Sequence, residues 1–301
     1  MTSELVRTTT PDGHPLLGAV SRPERPSGLG VVFVHGLGSN GFALFTDDLA
    51  HALPAAGVAL VRGNLRDAEL LRIEERRGDE PVRIGGGGHH RFADSVVDIG
   101  QWIDEAGLQG CERIVLFGHS LGSLKAVNYL FRERDERVVG LVLASTADLI
   151  GLHEARYPPG ERERFATLAR GLVAAGRGDD LMPPECVMGL LGQPVSASAY
   201  DDRFGDPPAW DVMDLADRGG PHAFQGLAAV DVPILALFGT RAETVSRDAI
   251  DPAFERLRHA AAAAPSFATG VVEGADHFYS GRGEDLAAVT LGWLRDTGLA
   301  A

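Results

Sequence analysis

The chain has 301 residues, 45% of them apolar and 23% charged, a profile that fits a folded globular protein and excludes a disordered one. That length suits one large α/β domain or two small ones. The formal net charge of -14 leaves no basic face to neutralise phosphates, so nucleic acid is excluded as an expected partner.

The opening stretch, MTSELVRTTTPDG, lacks an apolar core, so no secretory signal is expected. Residues 5–9 and 15–20 pattern as an antiparallel hairpin around Pro11-Asp12-Gly13. Residues 30–35 (GVVFVH) are a continuous apolar run that predicts a buried strand, and 41–56 follow with helical spacing. A strand is predicted at 58–62. A helix is predicted at 92–106, with Phe92, Val96, Ile99 and Ile103 on one face. Strand 113–118, helix 121–132 and strand 138–144 continue the alternation. Strands at 232–238 and 266–272 and a helix at 284–294 close it. Alternation of this kind predicts a mostly parallel sheet covered by helices.

Two stretches interrupt the pattern. Residues 64–90 are rich in charge and end in four glycines. Residues 149–229 hold helix-like pieces (162–175, 184–191) and many prolines between two strands. They read as a cap inserted into a core made of residues 1–148 and 230–301. No apolar run reaches the roughly 18 residues of a membrane-crossing helix, so no membrane partner is expected. Cys111 and Cys186 read as free thiols in a reducing compartment, which implies a cytoplasmic location.

The strongest chemical signal is FGHSLGS. Gly118-His119-Ser120-Leu121-Gly122 fits G-x-S-x-G between a strand and a helix, the context that lifts a serine hydroxyl above a sheet. The turn also aims the amide of Leu121 and a helix N-terminus at one point. His35-Gly36 ends the first parallel strand, where the amide of Leu37 can join that of Leu121 on a substrate oxyanion. His277, in the loop between the last strand and the last helix, is placed to act as general base on Ser120. Of the other histidines, His119 lies within the turn and is expected to point away from that pair, and His222 and His259 sit in no motif.

On these residues the chain resembles the serine α/β-hydrolases. More narrowly, LARGLVAAGRGDDLMP (168–183), SASAYDDRFGDPPAWDVMDLADR (196–218) and AETV (242–245) resemble a plant, fungal and bacterial branch that includes fungal siderophore-ester hydrolases. The resemblance implies the α/β-hydrolase fold and a Ser-His-acid triad acting through an acyl-serine on an ester, thioester or lactone. Acyl transfer or lactone formation is the second reading, and a ligand-binding relative with little turnover is the third. A small-molecule ester or acyl partner is implied, and neither a metal nor an organic cofactor. Tyr200, Phe204, Trp210, Met213 and Phe224 either line an apolar pocket or pack the cap, with packing favoured for most.

The acid of the triad is where the sequence departs from the family. In such families an aspartate follows the glycine of this strand, three places before a valine, and here that place holds Ala242, three before Val245. Three readings stay open. Glu243, next in the chain, serves as the acid; Asp148, beyond strand 138–144, reaches the histidine from a neighbouring strand end; or there is no acid partner, and the pair works weakly or not at all. Two further stretches read as structure. The adjacent His89 and His90 on a glycine run lack the spaced third and fourth ligands of a zinc site, so a loop entering the helix at Phe92 is favoured. EERRGDE (74–80) reads as a solvated surface.

Overall fold

The structure, a computed structural model, describes residues 2–74, 82–186, 194–205, 213–215, 223–241, 243–245 and 247–300. The hairpin of β1 (Thr2–Thr9) and β2 (Pro15–Arg22) pairs antiparallel, as its Pro-Asp-Gly turn predicts. Its inner strand continues the sheet against β4 (Ala59–Gly63), again antiparallel. From there β3 (Leu29–Val34), β7 (Arg113–His119), β8 (Val138–Ala144), β9 (Ile234–Gly239) and β10 (Phe267–Val272) run parallel. The eight strands stand in the order β1-β2-β4-β3-β7-β8-β9-β10. Among the described residues, the other sheet is the short hairpin of β5 (Arg72–Glu74) and β6 (Arg83–Gly85).

Helices cover both faces, which is why the central strands are apolar along their whole length rather than alternating. Residues of α1 (Phe45–Ala55) and α9 (Gly283–Asp296) pack on one face around Phe33, Phe117 and Leu237. Residues of α2 (Asp94–Leu108), α3 (Leu121–Glu133) and α8 (Ile250–Ala260) pack on the other around Val32, Leu116 and Phe238. The parallel pairing sets Val34 beside Gly118, and His119 beside Ala144. The carboxyl ends of β3, β7 and β8 therefore meet at one edge, where ligands bind in open α/β sheets.

Within 149–229 lie α4 (Leu149–Arg156), α5 (Glu161–Ala174), α6 (Ala197–Phe204) and α7 (Gln225–Ala228). Ile150, Phe165, Met182, Cys186, Tyr200 and Phe204 form an apolar cluster of their own, and Leu37 packs against it. Met213, Leu227 and Phe224 instead join the main core. Trp210, most of the expected helix at 184–191 and parts of the segments that carry the narrower family likeness lie outside the described residues. Cys111 and Cys186 are buried free thiols, and burial pushes the Cys186 thiol up to about 12. Among the described residues no helix is long and apolar enough to cross a membrane.

Two sequence expectations need correction. Ile250–Ala260 forms α8, which the pattern did not announce; Pro252 stands in its first turn, where the missing N–H has no helical acceptor to lose. Glu74 is not solvated. Its side chain is 5% exposed, because it ends β5 among Arg83, His90 and, at 3.9 Å, His14 from the turn between β1 and β2.

Candidate active site

Ser120 stands between β7 and α3 with φ 55 and ψ -124, backbone torsions that a side-chain-bearing residue rarely holds. Its neighbours explain how it is held there. A Cβ on Gly118 would lie 2.5 Å from Ser123 Cα, and one on Gly122 would overlap the Val34 carbonyl, so both glycines of the motif are close-approach positions. The Ser120 amide donates to the Ala144 carbonyl at 2.8 Å, tying the turn to β8.

The histidine and the carboxylate arrive from the next two strands. His277 Nε2 lies 3.1 Å from Ser120 Oγ. Its Nδ1 lies 3.0 Å from Glu243 Oε2. A carboxylate only accepts, so the Nδ1–H donates to it and Nε2 keeps a lone pair toward the serine. Glu243 also accepts from the Gly239 amide at 2.9 Å, the Thr244 amide at 3.2 Å and the Ser145 hydroxyl at 2.5 Å. Burial by itself would raise this carboxyl. The hydrogen bonds from His277 and Ser145 outweigh it and hold the group below the ordinary carboxylate value. Ala242, where the family pattern puts its aspartate, lies outside the described residues.

Asp148 is placed differently. Its Oδ1 accepts from the Gly151 amide at 2.7 Å and so caps the N-terminus of α4. Asp276, next to His277, turns its carboxylate onto the amides of Phe278 and Ser280, at 3.1 and 2.9 Å.

Leu37 follows Gly36, which lies directly against the nucleophile: a Cβ there would stand 2.9 Å from Ser120 Cβ. Leu121 opens α3. Among the described residues neither amide is spent on a backbone acceptor. The segment is braced from behind. Lys125 Nζ reaches the His35 carbonyl at 3.3 Å and pairs with Asp67 at 2.6 Å. His35 Nε2 accepts from the Leu65 amide at 3.0 Å. Burial holds the His35 ring down to about 4, so it stays neutral.

Two further residues of the site, Ser145 and Tyr279, have no reading in the sequence, and a third, His119, differs from its expected placement. Ser145 Oγ stands 2.8 Å from the Tyr279 hydroxyl as well as touching Glu243. Its single proton goes to the carboxylate, so the phenol donates to the serine and a chain Tyr279–Ser145–Glu243 results. Tyr279, two places after His277, is the one local signal for it. His119 was expected to face away from His277; instead its Nε2 donates to the His277 carbonyl at 2.7 Å, and the rings lie 5.0 Å apart. The alternation of β7 explains this, since its last side chain falls on the face of Phe45 and Tyr279, from which the 273–283 loop descends. Burial, and then the His277 ring, hold His119 down to about 3.

Comparison with known proteins bears on the fold and the family. The model of the alpha/beta hydrolase family matches residues 31–289. No curated protein matches the chain. Among solved structures it is similar to DcsB in complex with its substrate analogue, at 16% identity over 98% of this chain and 99% of that one, with a TM-score of 0.67. It is similar to the carboxylesterase CesB from Bacillus subtilis, at 20% identity over 98% and 92%, with a TM-score of 0.56. It is also similar to the esterase from Exiguobacterium antarcticum, at 17% identity over 96% and 99%, with a TM-score of 0.56. Identities this low carry the fold alone, but the family model spans most of the sequence, and the chain belongs to the alpha/beta hydrolase family.

Proposed function

We propose that the chain is a serine esterase acting on a small-molecule ester or thioester through an acyl-serine intermediate. The observation that carries this reading is the unbroken line Ser120–His277–Glu243, with contacts of 3.1 and 3.0 Å. His277 Nε2 takes the Ser120 proton as Oγ bonds to the substrate carbonyl carbon. The carbonyl oxygen takes up negative charge between the amides of Leu37 and Leu121, each worth ~3 kcal/mol of barrier. Glu243 remains ionised and stabilises the imidazolium. The intermediate collapses, His277 returns the proton to the leaving alcohol or thiol, and the acyl group stays on Oγ. Water repeats the sequence: His277 takes its proton, the oxygen attacks the acyl carbon, Ser120 recovers its proton and the free acid departs.

The reading of a non-catalytic relative rests on the missing aspartate at 242, and the contact of Glu243 with His277 favours turnover over it. The segment 149–229 acts in this proposal as a cap, supported by the packing of its apolar cluster on Leu37. The two relatives named as esterases agree with the chemistry.

A fluorophosphonate probe tests the proposal. It labels the wild-type protein once, at Ser120, and leaves Ser120→Ala unlabelled. Steady release of free acid from 4-nitrophenyl esters then marks hydrolysis, whereas labelling with release only to an added alcohol marks acyl transfer. An unlabelled wild type would remove the basis for a nucleophilic serine.

A further inference from the structure

The glycine run at 85–88 was read as a loop because His89 and His90 have no further ligands at zinc spacing. The fold supplies them from elsewhere. His14 from the turn between β1 and β2, Glu74 from the end of β5, and His90 bring one ligand atom each to within 4.8 Å of one another, and all three are buried. We propose that His14, Glu74 and His90 form a binding site for a zinc-class divalent ion. The proposal is independent of the esterase reading.

The donor chemistry fits. Two imidazoles and one carboxylate are a set that zinc accepts in sites that keep a fourth position open. Arg72 shows where the donors converge. Its Nη2 stands 2.9 Å from His14 Nε2 and 3.3 Å from Glu74 Oε1. An arginine only donates, so His14 Nε2 presents a lone pair to a cation already. His90 Nε2 lies 2.6 Å from the same Glu74 oxygen. A divalent ion would supply, from one position, the positive charge that Arg72 and the His90 N–H now direct at Glu74. The Nε2 proton of His90 passes to water or to Nδ1, which faces Asp94 Oδ2 at 3.8 Å; a carboxylate behind a ligating histidine is the usual outer partner. Arg72 Nε is buried with no hydrogen-bond partner among the described residues, so displacing the side chain toward solvent gives up the two Nη2 contacts, which the ion replaces, and hydrates Nε. Arg83 keeps Glu74 Oε2, at 2.9 Å, and need not move.

Two features set the ligands in place. A Cβ on Gly85 would overlap the Glu74 carboxylate, so the first glycine of the run makes the room in which that group lies. Beside the cluster opens a cavity of about 650 Å³, to whose lining His14, Glu74, Thr9 and Asn64 all contribute. The same glycine run meets Ser196 through the Gly88 carbonyl at 2.8 Å, and the Arg203 guanidinium holds the His90 carbonyl at 3.2 Å. An ion here would fasten the edge hairpin to the ground on which 194–205 rests.

The test is calorimetric titration of the full-length, chelator-treated protein with zinc chloride at neutral pH. One ion binds per chain. His14→Ala and His90→Ala each weaken binding roughly tenfold or more, whereas His51→Ala, at an exposed position on α1, leaves it unchanged. Arg72→Ala tightens binding, because the competing guanidinium is gone. Wild-type protein with no saturable binding, or with binding that His14→Ala and His90→Ala leave intact, would overturn the site. Should those two variants fail to fold, Arg72→Ala decides: tighter binding upholds the proposal, and equal or weaker binding refutes it.

Discussion

Glu243 carries four hydrogen bonds and stands one residue away from the place where its family keeps an aspartate. If it is the acid of the triad, Glu243→Gln keeps the fold but lowers kcat/KM by up to ~10⁴-fold, since the ring loses its charged partner and its tautomer. Asp148→Asn leaves the rate near wild type, because an asparagine caps α4 as well as an aspartate does; the reverse pattern in steady-state assays would reassign the acid. Ser145→Ala removes the short donor to Oε1. The carboxyl then moves up, and the acid limb of the kcat/KM profile shifts to higher pH. A profile that keeps its position would show that Ser145 only fills space. The meeting of Ser120 and His277 was legible because each sits in a motif whose context the flanking pattern supplied. Glu243 could only be left among three readings. Ser145 and Tyr279 were not legible, because their contact joins residues 134 places apart at the ends of different elements.

The strand-turn-helix element that holds Ser120 depends on two backbones coming together. A methyl group on Gly122 meets the Val34 carbonyl, which β3 fixes by pairing with β4 and β7. Gly122→Ala is therefore expected to cost several kcal/mol, on the order of 3 or more, as overpacking against backbone that cannot yield. Its urea midpoint falls far below wild type, or the protein fails to express in soluble form; a midpoint within error of wild type would contradict the packing described for this turn. The central strands were readable for a related reason. Buried on both faces, they are runs of Val, Leu, Ile and Phe with no alternation to mistake. The hairpin of β5 and β6 was not, since each strand is three residues long and the side chain it buries is Glu74, a charge that reads as surface. Charge in sequence marks exposure only until partners are found, and here Glu74 finds His90 and Arg83.

At the scale of the whole molecule, several histidines are buried as neutral rings. His35 and His153 are held down to about 4 and His119 to about 3, in each case by burial first. Each is less basic folded than unfolded, where its value is near 6.5, so the unfolded chain binds more protons between about pH 4 and 6.5. Stability is then complete above pH 6.5 and drains as the pH falls toward 4, by on the order of 1–2 kcal/mol for each ring at pH 5. His90, raised by its carboxylate partners against the effect of burial, runs the other way and offsets part of the loss. The depressed carboxylates Glu243 and Asp67 add their own loss as the pH falls through the ordinary carboxylate range and below it. Urea midpoints at pH 7 and pH 5 check this, and a midpoint that is flat or higher at pH 5 would contradict it. The central claim, that this fold carries an acyl-serine reaction, is met most directly by mass spectrometry of the intact protein quenched in acid during turnover of 4-nitrophenyl acetate. The account predicts a fraction of chains heavier by one acetyl group, mapping to the peptide of Ser120 and absent from Ser120→Ala. Turnover with no acylated chain, or with the acetyl group on another residue and Ser120→Ala as active as wild type, would contradict it.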